Sequence, residues 1–300
     1  MPLLLARGMI DRLERSGAVR ENHAGRRPAF PGGVVIVACA LTALLPVALI
    51  ALRPGIVGGG SIVADGPGEP FGLGYAVALG QGSVWIALVL GVALLGLVDD
   101  LIGRSGAPGS PRGWRGHLGA LASGELSTGV MKLVGILSLA ALTVPIGVEA
   151  AGAGAGGDLP GGDWPERLVA IALVAGLANL LNLFDTRPGR ATKVFVVLAV
   201  IIVAVGGSFE PLHGYEWLIG PILVVGFHDL RGRVMLGDMG SNLLGALLGV
   251  WAVTSLGPIE QLLAMSAVVA LTAYGEFRSL GVLLERLPLI KHLDSLGSGR

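Results

Sequence analysis

The sequence has little charge, few aromatic residues and almost no cysteine. Only 14% of its 300 residues are charged, whereas a soluble domain carries about a quarter. The one cysteine, Cys39, excludes a disulfide within the chain and a cysteine-based metal site. Basic and acidic residues are equal in number, 21 each, so nothing indicates a nucleic-acid partner. With 53% hydrophobic residues, the composition indicates a membrane protein instead.

Long apolar runs are what the sequence does contain. A helix that crosses a bilayer needs about 20 mainly apolar residues. Eight such runs predict an all-α fold, a polytopic transmembrane helix bundle in one domain over residues 1–300. The runs cover residues 32–53, 75–98, 129–147, 165–184, 191–207, 212–228, 238–256 and 259–277.

The basic residues predict how this bundle is oriented. With a cytoplasmic N-terminus, 19 of the 21 Lys and Arg residues fall in cytoplasmic segments, and only Arg53 and Arg167 fall on the other side. Cytoplasmic loops are enriched in Lys and Arg. We therefore expect a cytoplasmic N-terminal segment over 1–31 and a cytoplasmic tail over 278–300.

The first 17 residues, MPLLLARGMIDRLERSG, are too short and too charged to span a bilayer alone. Two interpretations stay open for them. They form an amphipathic helix in the interface, or they are the end of a shortened first span, which would bring the total to 9 or 10 spans.

Carboxylates collect at the predicted cytoplasmic helix ends. The run LGLVDDLIG ends on the adjacent Asp99 and Asp100. Two neighbouring carboxylates at a membrane boundary repel each other, so they are hydrated, paired with cations or bound to a metal. Taken alone, a solvated helix end explains them equally well.

The segment ANLLNLFDTRPGRATKVF places Asn179, Asn182 and Asp185 three residues apart, near one face of a helix end. Amides in an apolar helix also join helices together, so the two asparagines have a structural alternative. Three cations follow, which either hold phosphate or only set the topology: Arg187, Arg190 and Lys193.

The segment VMLGDMGSNLLGALLGV is the most specific of the three. Gly237 and Gly240 flank Asp238, which permits a close backbone approach. We expect the helix that begins here to point free amide groups at a ligand; the alternative is that Asp238 is a plain N-cap. Small residues at a spacing of four predict close helix packing: Ser241, Gly245 and Gly249.

Together these segments supply hard oxygen ligands, cations and backbone donors without a Cys/His cluster. This mixture suits Mg²⁺, or Mn²⁺, bound to a diphosphate. The arginines and Lys132 would hold the remaining phosphate oxygens. A site at the membrane surface can take one substrate from water and another from lipid.

The motifs LGLVDDL, ANLLNLFDTRPGRA and MLGDMGSNLLGALLG, in this order, resemble those of the polyprenyl-phosphate N-acetylhexosamine-1-phosphate transferases. The resemblance runs from about residue 20 to 278 and includes ENHAGRRPAFPGG as a first cytoplasmic loop. It implies an enzyme of the cell membrane that transfers a sugar 1-phosphate from a UDP-sugar to undecaprenyl phosphate, requires Mg²⁺ and releases UMP in a pathway of cell-wall or other glycan biosynthesis. A homodimer is compatible with this expectation.

The resemblance also implies roles for particular residues. Asp99 and Asp100 match the paired aspartates, one of which deprotonates or orients the lipid phosphate. Asp238 matches a metal-binding aspartate, with Asp100 as a second metal ligand, and all three acids are expected to be catalytic. Asn182 and Asp185 match an Asn and the first Asp of a family loop near nucleotide and phosphates, and Lys132 matches a basic residue after the paired aspartates. With the residues that the spacing alone singled out, the expected substrate-binding residues are Asn179, Asn182, Asp185, Arg187, Arg190 and Lys132.

The chain departs from the family pattern in two loops. Thr186 and Pro188 in DTRPGR replace a glycine and the second aspartate of the family's acidic loop. The family's histidine-containing loop has no clear counterpart, and His117, His228 and His292 occur singly.

Two other classes remain as alternatives, a transporter and a membrane scaffold that keeps the fold without catalysis. A transporter would carry ionisable residues near the middle of its spans, whereas the acids here lie near helix ends. Intact Asp99, Asp100 and Asp238 argue against a scaffold.

Overall fold

The computed structural model describes residues 2–21, 25–51, 71–103, 113–125, 127–155, 163–208 and 215–277. In these ranges the chain forms ten α-helices and no β-strand. The helices are α1 Pro2–Ser16, α2 Gly32–Ala51, α3 Phe71–Ile102, α4 Gly113–Ala122, α5 Thr128–Ala155, α6 Trp164–Phe184, α7 Arg190–Gly206, α8 Glu216–Leu230, α9 Gly237–Ser255 and α10 Pro258–Phe277.

Each of the eight predicted spans coincides with one helix, which confirms the all-α fold. Four helical segments are long and apolar enough to cross a membrane, judged by length and composition. Two shorter helices are also apolar, Gly32–Leu44 and Trp217–Leu230. The long segments are Ser83–Ile102, Thr128–Glu149, Trp164–Phe184 and Pro258–Gly275.

Helix α9 lies at the centre of the bundle, and almost all of its residues are buried. It packs mainly against α6 and α3, with further contacts to α7 and α2. A Cβ added at Gly245 would lie 2.5 Å from Ala178 Cα, and one at Gly249 would lie 2.7 Å from Val174 Cα. The predicted close packing at these two glycines is therefore confirmed.

Two helices lie outside the predicted spans. Helix α1 buries Ala6 and Ile10 against the bundle and leaves Leu4 exposed, which fits an amphipathic segment. Helix α4 was not predicted, because its ten residues, GWRGHLGALA, have too weak an apolar pattern to stand out in a polar loop.

Backbone hydrogen bonds tie the loop after α1 to the turn before α9. Ala29 N–H donates to Arg233 O at 3.1 Å, and Met235 N–H donates to Ala29 O at 3.0 Å. Gly32 N–H donates to Met235 O at 2.7 Å. The start of α9 is thus fixed by the loop over 25–33. The tail over 278–300 and His292 lie outside the described residues.

Candidate active site

One end of the bundle gathers acidic residues from three elements around a single lysine. Asp99 and Asp100 end α3, Asp185 follows α6, and Asp238 lies in the first turn of α9. Lys132 extends from the first turns of α5. Three separate motifs of the sequence therefore meet at one place.

Lys132 joins two of these carboxylates. Its Nζ lies 2.7 Å from Asp99 Oδ2 and also forms an ion pair with Asp238 Oδ2. The side chains of Lys132 and Asp99 are only 11% and 5% exposed. Removing one partner from a buried pair leaves an uncompensated charge, which is strongly destabilising. The three groups therefore depend on one another.

Asn182 completes this arrangement. Its amide fits the hydrogen-bond network when the oxygen accepts from Lys132 Nζ at 2.9 Å and the nitrogen donates to Asp238 Oδ1 at 3.1 Å. This orientation is assigned from the surrounding donors and acceptors. The nitrogen also lies 3.2 Å from Ser241 Oγ, which donates to Gly237 O at 2.8 Å. Asn182 thus fixes the positions of the Lys132 and Asp238 side chains relative to each other.

Asp100 has different partners from Asp99. Its Oδ1 accepts the backbone N–H of Asp238, and its Oδ2 accepts that of Met239, both at 2.9 Å. A helix N-terminus has unpaired N–H groups and a partial positive charge. Asp100, on α3, supplies acceptors for the first turn of α9.

This arrangement corrects the expectation that α9 points free amides at a ligand. The N–H groups of Asp238 and Met239 are used by Asp100, and that of Gly237 is hydrogen-bonded to the Asp185 carboxylate. The physical reason is that acidic side chains from neighbouring elements already satisfy these donors.

Asp185 lies where negative charge accumulates. Burial raises the pKa of this carboxyl group well above its ordinary value, and the charges of Asp229, Asp238 and Asp100 raise it further. The hydrogen bond from Gly237 N–H opposes this shift. The site therefore disfavours one more negative charge unless a cation is bound.

The remaining predicted residues lie around this cluster. Asn179 is half-buried and makes no hydrogen bond or ion pair with the other described residues. Arg190 is buried and donates from Nη1 to Thr186 Oγ1 at 3.0 Å. Arg187 is half-buried. The structure thus unites Asp99, Asp100, Lys132, Asn182, Asp185 and Asp238 directly, and places the arginines in the adjoining loop.

A buried contact behind this loop was not predicted. Asp229, which is fully buried, accepts a hydrogen bond from Thr192 Oγ1 at 2.7 Å. This contact joins the end of α8 to the first turn of α7. Asp229 follows the predicted span over 212–228 in the sequence, and nothing in the local pattern of Asp229 or Thr192 indicated that the two are partners.

The donor set fits a magnesium ion that also binds substrate. The described residues contain no group of three or more His, Cys, Asp or Glu side chains arranged around a single ion position. Mg²⁺ is often held by one or two carboxylates, with substrate phosphates and water completing its shell. Asp99 Oδ1 is buried and has no hydrogen-bond partner among the described residues, so an acceptor remains for a cation.

Fold and site together define a polytopic membrane helix bundle with a lysine-bridged acidic centre at one end. The sequence model described as "Glycosyl transferase family 4" matches residues 83–256. This range covers more than half of the chain and includes every predicted site residue. The chain belongs to this family, which confirms the resemblance drawn from the three motifs.

Curated relatives carry one shared name, decaprenyl-phosphate N-acetylglucosaminephosphotransferase. The protein from Mycobacterium tuberculosis (strain ATCC 25618 / H37Rv) is 25% identical over 226 residues, 71% of this chain and 50% of the relative. The protein from Mycolicibacterium smegmatis is 30% identical over 106 residues, 31% of this chain and 26% of the relative. The chain spans about half the length of the M. tuberculosis relative.

Proposed function

We propose that the protein transfers a sugar 1-phosphate from a UDP-sugar to a polyprenyl phosphate, with release of UMP. The observation that carries this proposal is the buried Lys132 between Asp99 and Asp238, inside the region that matches the family. The shared name of the relatives supports a polyprenyl-phosphate acceptor and a phosphosugar as the transferred group. Decaprenyl and undecaprenyl phosphate are both candidate acceptors.

The reaction exchanges one phosphoanhydride for another. A phosphate oxygen of the lipid attacks the β-phosphorus of the UDP-sugar, and the bond between the β-phosphorus and the bridging oxygen breaks. UMP leaves with that oxygen, and the lipid keeps the sugar on a new diphosphate. The protein's part is to position two anionic substrates and to balance their charge.

We assign the metal-binding role to Asp238. A bound Mg²⁺, or Mn²⁺, would neutralise charge that develops on the diphosphate. Asp100 was predicted as a second ligand, and this stays a prediction. With each of its oxygens accepting an N–H group of α9, it holds Asp238 in place even where it does not touch the ion.

Asp99 and Lys132 are the groups we assign to the reacting phosphates. Asp99 Oδ1, which has no hydrogen-bond partner in the described part of the chain, accepts a proton from the lipid phosphate or orients it. Lys132 is paired with two carboxylates, and its ammonium can turn toward a phosphate oxygen when Asp238 is engaged elsewhere. Asn182 keeps its amide oxygen near that ammonium.

The donor would bind on the side of the DTRPGR loop. Asp185, Arg187, Arg190 and Asn179 lie on or before this loop, and we assign them to the nucleotide and its phosphates. From the positive-inside pattern we infer that this end of the bundle faces the cytoplasm. The UDP-sugar would therefore arrive from the cytoplasm and the polyprenyl phosphate from the membrane.

The test is UMP release by the purified full chain in detergent. The mixtures contain decaprenyl or undecaprenyl phosphate, Mg²⁺ and one of a panel of UDP-sugars. We expect release with one donor that needs lipid and metal and stops when EDTA is added. Asp99→Asn and Asp238→Asn should each reduce the rate at least about a hundredfold, the scale of losing a proton-transfer or electrostatic group.

Asp163→Asn is the matched control, because Asp163 is exposed before α6 and its side chain makes no capping hydrogen bond. Its rate should equal that of the unchanged protein. If folded protein releases no UMP with any donor, or if Asp238→Asn behaves like Asp163→Asn, the proposed function is wrong.

A further inference from the structure

A cavity of about 390 Å³ lies between α1 and the end of α8, lined by a different set of residues from the carboxylate cluster. Its walls carry cations together with apolar side chains. They are Leu4, Arg7, Phe227, His228, Arg231 and Arg233. Of the residues that the structure describes, no acidic side chain contributes to this lining.

The cations at this cavity are only partly neutralised. Arg233 Nη2 lies 2.9 Å from Asp11 Oδ1 and 3.8 Å from Glu14 Oε2. Within the described part of the chain, no carboxylate pairs with Arg7 or Arg231. Two guanidinium groups thus remain available for an anion, while the third is held in place by α1.

The geometry of Arg231 favours recognition of a phosphate. Its guanidinium carbon lies 3.9 Å from the centre of the Phe227 ring, so the ring fixes the plane of the group. A guanidinium held in one plane presents paired N–H donors that match phosphate oxygens. His228 also lines the cavity.

The apolar part of the lining indicates where the ligand comes from. Leu4 is 78% exposed and Phe227 is 48% exposed. Phe227 lies in the apolar helix Trp217–Leu230, near the end from which the chain enters the turn before α9. The cavity is therefore at the same membrane boundary as the carboxylate cluster, where lipid headgroups lie beside acyl chains.

We propose that this cavity binds the phosphate of an anionic membrane phospholipid, with Arg7 and Arg231 on the phosphate and Leu4 and Phe227 beside the start of the acyl chains. A soluble phosphate compound would use the two arginines equally well. It would gain nothing from the exposed apolar side chains. The combination favours the lipid, because basic residues at a membrane surface attract anionic headgroups.

The experiment is a thermal-unfolding titration of the full chain in neutral detergent. The added compounds are phosphatidylglycerol, phosphatidylcholine and sn-glycerol 3-phosphate, each measured alone. We expect phosphatidylglycerol to raise the Tm in a saturable way, because a ligand of the folded state stabilises it. Phosphatidylcholine and sn-glycerol 3-phosphate should leave the Tm unchanged over the same concentration range.

Two variants locate the effect. Arg7→Gln should raise the concentration for half-maximal shift on the order of tenfold, the effect of losing one charged hydrogen bond. Arg7 is exposed on α1, so this variant should fold. Arg7→Gln combined with Arg231→Gln should abolish the shift.

Arg12→Gln is the matched control. It removes the same charge from the same helix, but Arg12 lies about 140° around the helix axis from Arg7 and is not part of the cavity lining. Its titration should match that of the unchanged protein. The proposal is overturned if Arg7→Gln titrates like Arg12→Gln. It is equally overturned if phosphatidylcholine or sn-glycerol 3-phosphate reproduces the shift.

Discussion

Asp100 holds the helix that carries Asp238. Asp100 Oδ1 accepts the backbone N–H of Asp238 at 2.9 Å, and the second oxygen accepts the next N–H of the same helix turn. The acid of α3 and the acid of α9 are therefore linked through backbone. A change at Asp100 should move Asp238 even though the two side chains have different partners.

The first prediction concerns Asp100→Asn. An amide offers one acceptor oxygen where the carboxylate offers two, so one N–H of α9 loses its partner. We expect the free energy of unfolding to fall by about 1–2 kcal/mol, the usual cost of losing a helix cap or a buried hydrogen bond. Thermal unfolding in detergent measures this, with Asp163→Asn as the unchanged reference.

The same variant separates positioning from metal binding. If Asp100 only positions Asp238, UMP release by Asp100→Asn should be slower, and any rise in the Mg²⁺ concentration at half-maximal rate should accompany the loss of stability, because Asp238 is the displaced metal ligand. A rise of tenfold or more in that concentration, without loss of stability, would mean that Asp100 ligates the metal, as first predicted.

A second prediction concerns the Lys132 pair. Lys132→Met leaves the buried Asp99 carboxylate without its cation. The expected loss of stability is about 3–5 kcal/mol, the cost of removing one partner from a buried ion pair. Adding Asp99→Asn should restore part of this loss, because one of the two carboxylates that Lys132 paired with is then neutral.

A double-mutant cycle by thermal or denaturant unfolding measures the coupling between Lys132 and Asp99. We expect a coupling free energy of about 0.5–3 kcal/mol. Additive effects of the two substitutions would show that the contact contributes nothing to stability.

A third prediction concerns pH and Asp185. The pKa of this carboxyl group is raised in the folded protein by burial and by neighbouring acids. The folded state therefore binds a proton more tightly than the unfolded state, and its stability falls as pH rises above the ordinary carboxyl pKa. Asp185→Asn removes the contribution of this one group to the fall.

In metal-free buffer, Asp185→Asn should raise the Tm at pH 8 and have less effect at pH 5. Asp163→Asn should have no effect at either pH. The electrostatic explanation would be contradicted if Asp185→Asn and the unchanged protein differed in Tm by the same amount at both pH values.

A fourth prediction concerns the contact between α3 and α9. A Cβ added at Gly96 would meet the backbone oxygen of Asp238 and would lie 2.7 Å from Met239 Cα. Gly96→Ala should therefore push the first turn of α9 away from Asp100, at a cost of about 1–3 kcal/mol. UMP release should fall with it.

Gly8→Ala provides the control for this substitution, since Gly8 lies inside α1 and a Cβ there would meet nothing within 4 Å. It should be neutral or slightly stabilising, because alanine favours a helix over glycine. Equal Tm values for Gly96→Ala and Gly8→Ala would contradict the close approach of α3 and α9.

Much of the fold could be predicted from the sequence because it depends on local properties. Each apolar run had to form a helix in a bilayer, where every backbone polar group needs an internal partner. The glycines at 245 and 249 predicted a close helix contact, which the structure confirms. Helix α4 was missed because its short, weakly apolar sequence lacks the length on which such predictions depend.

The members of the site were also visible in the sequence, but their partners were not. Acids at helix ends identified Asp99, Asp100, Asp185 and Asp238 as candidates. Nothing in the sequence distinguished Asp99, which pairs with a lysine, from Asp100, which holds a helix. That difference arises because consecutive residues of a helix point about 100° apart and so face different neighbours.

The sequence by itself determined an all-helical membrane chain and the three motifs that meet at one end. It also predicted the side of the membrane on which the charged loops lie. Only the tertiary structure decided which donor each carboxylate accepts, that the first turn of α9 is already capped from within the protein, and that Lys132 lies between Asp99 and Asp238. The physical reason is the separation, along the chain, of the residues that interact. Hydrophobic length and helix propensity act between near neighbours in the chain, whereas these hydrogen bonds and ion pairs join residues up to 139 positions apart.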